Sequence, residues 1–175
     1  METLMPKGWA PPIGYANGVA VVPGRIVFVA GQVGWDAEQN FRSNDIVAQF
    51  EQALGNVLAV VAEAGGGPEH ICRMTAYCCD KPAYLAARPL LGRIWRDLMG
   101  RHYPAMSMIF VADLLDRPGV IELEATAVVP APAVSRRRSA APVSRARKVA
   151  GGRAPAAKKR RAAPPRPAAR KSAKR

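Results

Sequence analysis

At 175 residues the chain has room for one ordinary domain, and its three cysteines, Cys72, Cys78 and Cys79, are an odd number and exclude a disulfide framework. The net charge of +13 is unevenly placed: residues 1–130 hold all 13 acids against ten Lys/Arg, a net −3, whereas residues 131–175 hold sixteen Lys/Arg and no acid. The longest apolar run, residues 57–62, is far too short to span a bilayer. The N-terminus lacks a basic stretch leading into an apolar one, so the reading is a soluble, cytoplasmic protein with free thiols and no membrane contact.

Residues 19–22 and 26–30 are short β-branched runs around Pro23-Gly24, a turn signal. They predict a hairpin whose second strand is buried on both faces and ends at Gly31-Gln32. Residues 35–44 are polar and read as a loop. Ile46, Phe50, Leu54, Val57, Leu58 and Val61 then recur at three- and four-residue steps, the period of an amphipathic helix. Asn44 or Asp45 caps its start by accepting from an orphan N–H, and Gly65-Gly66-Gly67-Pro68 ends it. Residues 70–79 predict a third strand. Asp80-Lys81-Pro82 suits the start of a second helix, which carries Leu90, Leu91, Ile94, Trp95 and Leu98 on one side. Pro89 removes a donor inside it and predicts a kink or a restart. Residues 105–112 predict a fourth strand and 119–129 a fifth. The fifth alternates Ile121, Leu123, Ala125 and Ala127 on one face with Glu122, Glu124 and Thr126 on the other. The order β-β-α-β-α-β-β is an α+β fold: one sheet with two helices on one face. The opposite face is too apolar at 26–30 and 105–111 to stay wet, which points to an oligomer.

Glu122 and Glu124, two apart on a strand, project from one face. They suit either a solvated sheet face or a pocket where desolvation raises a carboxyl pKa and lets it move protons. His70 and Cys72 also share a side, but a zinc site needs three or four converging ligands. The only other histidine is His102, and neither Cys-x-x-Cys nor the zinc-deaminase signature is present, so no metal is expected. Nucleotide-cradling and nucleophile-elbow motifs are absent, and Gly65-Gly66-Gly67 follows a helix rather than opening one. The three cysteines lack an evident cationic neighbour on their own side and read as structural thiols.

Four segments resemble the RidA (YjgF, L-PSP) family in its order: Val27-Phe28-Val29-Ala30-Gly31-Gln32, Asp45-Ile46 with its helix, Tyr103-Pro104-Ala105, and Ile121-Glu122-Leu123-Glu124-Ala125-Thr126-Ala127-Val128. The resemblance spans residues 13–130. It implies a chorismate-mutase-like fold and a homotrimer with ligand clefts between subunits. It also implies cofactor-free hydrolysis of reactive enamines and imines, such as 2-aminoacrylate, to keto acids and ammonia. Glu122 matches the carboxylate that handles water, Tyr15 a pocket tyrosine, and Gly31 the glycine whose backbone approaches the ligand. The family's Pro-Ala-Arg-Ser/Thr motif, whose arginine forks onto the substrate carboxylate, reads Pro104-Ala105-Met106-Ser107 here. A thioether cannot replace a bidentate guanidinium, so the resemblance implies a divergent branch for a less charged or more apolar ligand. Ala30 stands where a serine often precedes Gly31. Arg88 matches an asparagine on the second helix and is either a cation arriving from a new direction or an exposed helical arginine.

The expected division is a RidA-like domain at 1–130 and a disordered basic tail at 131–175. The tail has no aromatic residue and no Leu, Ile or Met, so it cannot bury enough surface to offset its ordering entropy. Its clusters Arg136, Arg137, Arg138 and Lys158, Lys159, Arg160, Arg161 suit non-specific binding to nucleic-acid phosphates. Three functions therefore stand beside one another: an imine/enamine hydrolase, a non-catalytic metabolite-binding trimer, and a nucleic-acid-associated protein acting through its tail.

Overall fold

A computed structural model describes residues 1–131. The elements run β1 (Glu2–Leu4), β2 (Gly18–Ala20), β3 (Arg25–Val33), α1 (Ile46–Glu63), a short 3-10 turn (Pro68–His70), β4 (Ile71–Cys78), α2 (Lys81–Met99), β5 (Ala105–Phe110) and β6 (Ile121–Val129). Four strands form the main sheet in the order β3-β6-β4-β5. Only the β4–β5 pair is parallel, the pair that α2 connects. The α+β architecture with both helices on one face is as expected, but the single expected sheet is divided: β1, an added N-terminal strand, and β2 form a separate two-stranded sheet.

The expected hairpin does not form. Residues 18–20 pair with β1 instead, and β3 pairs with β6. Two-residue hairpins need primed turns to match strand twist, whereas Pro-Gly favours type II geometry, which splays the strands. β3 also runs on through Gly31-Gln32. Ala30 and Gly31 together oppose Glu124, a bulge that lets the strand reach Val33. Nor is β3 buried on both faces: Ile26 is 58% exposed and Phe28 79% exposed in the single chain.

Asp45 caps α1 by accepting from the N–H groups of Val47 and Ala48. The apolar stripe from Ile46 to Val61 packs on the sheet, with Leu54, Val57 and Val61 fully buried. Gly65 ends the helix at φ +75°, a left-handed geometry that glycine adopts without strain. Two polar residues on α1 hold neighbouring loops. Buried Gln49 donates to Ser43 O and Pro118 O and accepts from Val120 N, and Asn56 donates to Val33 O and Trp35 O.

Helix α2 is capped by Asp80 and continues unbroken through Pro89. Proline removes only one backbone donor there, on the exposed side beside Leu90. The buried residues are Ala87, Leu91, Trp95 and Met99. Of the expected side, Leu91 and Trp95 are buried, Ile94 and Leu98 pack partly buried against the core, and only Leu90 is exposed. The alternation of β6 is as read: Ile121, Leu123, Ala125 and Ala127 are buried under the helices, and Glu122, Glu124 and Thr126 face the other way. Residues 132–175, with Arg136, Arg137, Arg138, Lys158, Lys159, Arg160 and Arg161, lie outside the described residues.

Candidate active site

The helix-free face of the sheet gathers the polar strand residues. Strand register places Glu122 beside Tyr77 and Ile109, and Glu124 beside Thr75 and Ser107. The two glutamates then differ. Glu124 faces Arg73 at 3.8 Å, whereas Glu122 has no cationic partner among the described residues. Burial lifts the Glu122 carboxyl above the usual glutamate range, and the charges of Asp116 and Glu124 add to the shift. Glu122 is therefore the carboxyl better disposed to take up and release a proton.

Gly31 lies directly under this carboxyl. A Cβ at position 31 would fall 1.6 Å from Glu122 Oε1 and 2.7 Å from its Cδ, so only glycine allows the carboxyl to sit against the β3 backbone. Gly31→Ala is expected to cost ~1–3 kcal/mol of stability by overpacking. A denaturant-melting cycle with Glu122→Ala checks this: the second substitution removes the clashing atoms, and most of the loss should disappear in the pair.

The second cluster is on the other side of the sheet. Met106 lies opposite Met74 in register, and Met74 is buried under the helices. Met106 lines a cavity of about 290 Å³ between α2, β5 and the N-terminal segment. Arg88 lines the same cavity, with Tyr84 and Trp95 from α2 and Tyr103 from the approach to β5. The Tyr103 ring stacks on Trp95 at 5.8 Å between centroids, and Trp95 Nε1 donates to His102 O at 3.1 Å. Ala16 N donates to Pro104 O at 2.9 Å, which stitches the segment holding Ile13 and Gly14 over the cavity. Tyr15 follows them and is 43% exposed.

Apart from Tyr15, which is exposed and lines neither cluster, the expected site residues of the described chain separate into two groups. Glu122, Gly31 and Ser107 belong to the helix-free face, and Arg88 and Met106 to the cavity under α2. One protomer does not bring the two groups together.

Against this geometry, the profile of the endoribonuclease L-PSP family matches residues 9–129. The chain belongs to the RidA/YjgF/L-PSP family. The L-PSP match contains both residue groups, the whole main sheet and both helices. Protein DfrA of Myxococcus xanthus is 30% identical over 124 residues, 70% of this chain and 88% of its own. A RutC family protein of Pasteurella multocida is 33% identical over 109 residues, 62% of this chain and 84% of its own. Among solved structures, the Rid family protein YyfB of Yersinia pestis is similar with a TM-score of 0.66 and 32% identity, covering 73% of this chain and 98% of that one. E. coli TdcF, in a structure with bound serine, is similar with a TM-score of 0.52 and 27% identity, covering 74% and 99%.

The other reactive side chains of this L-PSP domain are occupied structurally. His70 Nδ1 accepts from Gly67 N at 2.9 Å, and His102 Nε2 contacts Ile71 O at 2.7 Å. Burial raises the thiols of Cys72, Cys78 and Cys79 above the ordinary cysteine range, which lowers their thiolate fraction. The sequence reading missed the cavity walls. Arg88 and Met106 were expected there, but Tyr84, Leu91 and Trp95 beside them were not: they recur at helical spacing, which was the available signal, and an apolar helix stripe is normally core.

Proposed function

We propose that the chain hydrolyses reactive imines or enamines to a carbonyl compound and ammonia, at clefts between neighbouring protomers of a homotrimer. The observation that carries this reading is Glu122: a partly buried carboxyl with a raised pKa, without a cation among the described residues, held against the Gly31 backbone. Its ionised form takes a proton from water as the oxygen adds to the imine carbon, giving a carbinolamine. Starting from the protonated imine this carbinolamine is neutral, and the carboxylic acid returns the proton to its nitrogen. The C–N bond then breaks as the hydroxyl oxygen forms C=O, and the hydroxyl proton passes through the carboxylate to the departing ammonia, which leaves as ammonium and regenerates ionised Glu122. An enamine enters this path after protonation at carbon. No cofactor takes part.

The two-protomer cleft is supported by the separation of the residue groups on opposite faces of one sheet, which can serve one ligand only if they come from different chains. Exposed Ile26 and Phe28 favour such an assembly. The serine bound to TdcF, a relative by structure, supports an amino-acid-derived ligand. RNA cleavage is less supported, because both histidines are engaged by the backbone.

The deciding assay measures ammonia release from 2-aminoacrylate and from uncharged imines. A protein that binds such compounds without releasing ammonia is a metabolite-binding module instead. Loss of the guanidinium at position 106 should weaken small carboxylate substrates. Met106→Arg is accordingly expected to raise kcat/KM for 2-aminoacrylate ~10- to 100-fold, the worth of one charge-assisted contact, with little change for uncharged imines.

A second reading is favoured by the charge division alone. Sixteen Lys/Arg and no acid after residue 130 support non-specific nucleic-acid binding through residues 131–175. The two activities would occupy different parts of the chain and do not exclude each other.

A further inference from the structure

We propose that the cavity under α2 is a carboxylate-binding pocket for acids with an aromatic or bulky apolar body, gripped by Arg88 and Arg96 from the helix. The inference rests on the hydrolase reading for its biological meaning and names the substrate class of that site. It does not depend on turnover for its test.

The charge pattern comes first. Two arginines line the cavity and no Asp or Glu does. Neither guanidinium is paired with a carboxylate among the described residues. Both arginines are exposed, and two guanidiniums without an acidic neighbour at one concavity leave a positive potential that an anion can fill. Both keep their five donors free to fork onto a carboxylate.

The spacing comes second. Positions 88, 92 and 96 form one i, i+4, i+8 row on α2, and the middle residue is Gly92. Glycine inside a helix costs ~1 kcal/mol relative to alanine. A Cβ there would meet only Arg96 Nη1, at an ordinary 3.8 Å, so packing does not require glycine. Its effect is to leave open the space between the two guanidiniums, where the head of a ligand would sit.

The walls come third. Below the arginines the cavity is formed by Leu91, Trp95, Tyr103 and Met106. Parallel stacking of Trp95 on Tyr103 makes a flat apolar wall, and Met106 is a polarizable, adaptable side chain suited to aromatic edges. An arginine at position 106 would put a charge into this wall. With methionine there, the pocket exchanges a cation at its base for apolar volume and carries its cations on the helix. Its size, about 290 Å³, is near the lower end for small-molecule sites and suits a single ring with a short acid-bearing arm. The site therefore prefers imines derived from aromatic or large apolar amino acids over 2-aminoacrylate.

The test uses the full chain and calorimetric titration with 3-phenylpropanoate and its uncharged amide. The acid is expected to bind, and the amide ~10- to 100-fold more weakly, the range for one charged hydrogen-bonding group. Arg88→Ala should weaken the acid by a similar factor, Arg96→Ala should weaken it measurably, and Arg93→Ala, outside the cavity, should leave it unchanged. Gly92→Leu, a good helix former that fills the gap, should abolish binding while the protein melts at no lower temperature. Equal affinity for acid and amide, or an unchanged affinity in Arg88→Ala, overturns the proposal, as does absence of binding in the parent. The hydrolase reading fails separately: binding through Arg88 with no ammonia released from any imine removes the hydrolase and leaves the pocket. Imine turnover unaffected by Arg88→Ala, with no acid binding, does the reverse.

Discussion

Glu122→Gln is expected to lower kcat/KM for imine hydrolysis ~10²- to 10⁴-fold, the usual contribution of a positioned proton-transfer group. Glutamine keeps the shape of the side chain over Gly31 and removes only its ability to exchange a proton, so the sheet should remain intact. Two pH effects accompany the change. In the parent, activity needs the ionised carboxylate, so the rate falls as pH drops through a value above the ordinary glutamate range, because burial and the neighbouring acids raise that pKa. Stability moves with the same group. A carboxyl whose folded pKa exceeds its unfolded value, about 4.3, contributes stability fully below the unfolded value and loses it as pH rises through the folded one. Glu122→Gln should therefore match the parent below about pH 4 and melt at a higher temperature at neutral pH. Ammonia-release assays and melting curves across pH check both. Parent rates in Glu122→Gln on every imine would remove the carboxylate from the mechanism.

The second large effect concerns the basic segment. If about six of its charges meet phosphates, affinity for duplex DNA or RNA should fall ~10³-fold between 50 and 200 mM salt. A chain ending at residue 130 should lose this binding, since its net charge is −3. Sequence preference should be weak, because without aromatic residues after 130 there is nothing on which bases can stack. Three such segments on a trimer would add avidity. Gel shifts of the full and shortened chains at both salt concentrations read the outcome. Equal binding at low salt would place the nucleic-acid contact elsewhere or remove it.

Particular residues show how far the sequence could be read. The α1 stripe, its Asp45 cap and the β6 alternation are local patterns, set by helical and strand periods that neighbours in the chain already determine. The hairpin at 19–30 failed because strand pairing is a long-range choice. Residues 18–20 pair with β1 and β3 pairs with β6, so among the described strands the other edge of β3 stays unpaired. On α2 the expected side holds at Leu91 and Trp95, with Ile94 and Leu98 partly buried, but the sheet selects Ala87 and Met99 in place of Leu90 at the centre of the contact.

The chain by itself determined its family, its two helices, the alternation that puts Glu122 and Glu124 on one face of a strand, and the abrupt change of charge near residue 130, but not that Gly31 lies against Glu122. Tertiary structure alone decided that Met106 and Arg88 share a cavity and that Glu122 lies across the sheet from them. Periodicity assigns a residue to a face of its own element, whereas the meeting of two faces depends on strand order and register, contacts made between residues far apart in sequence.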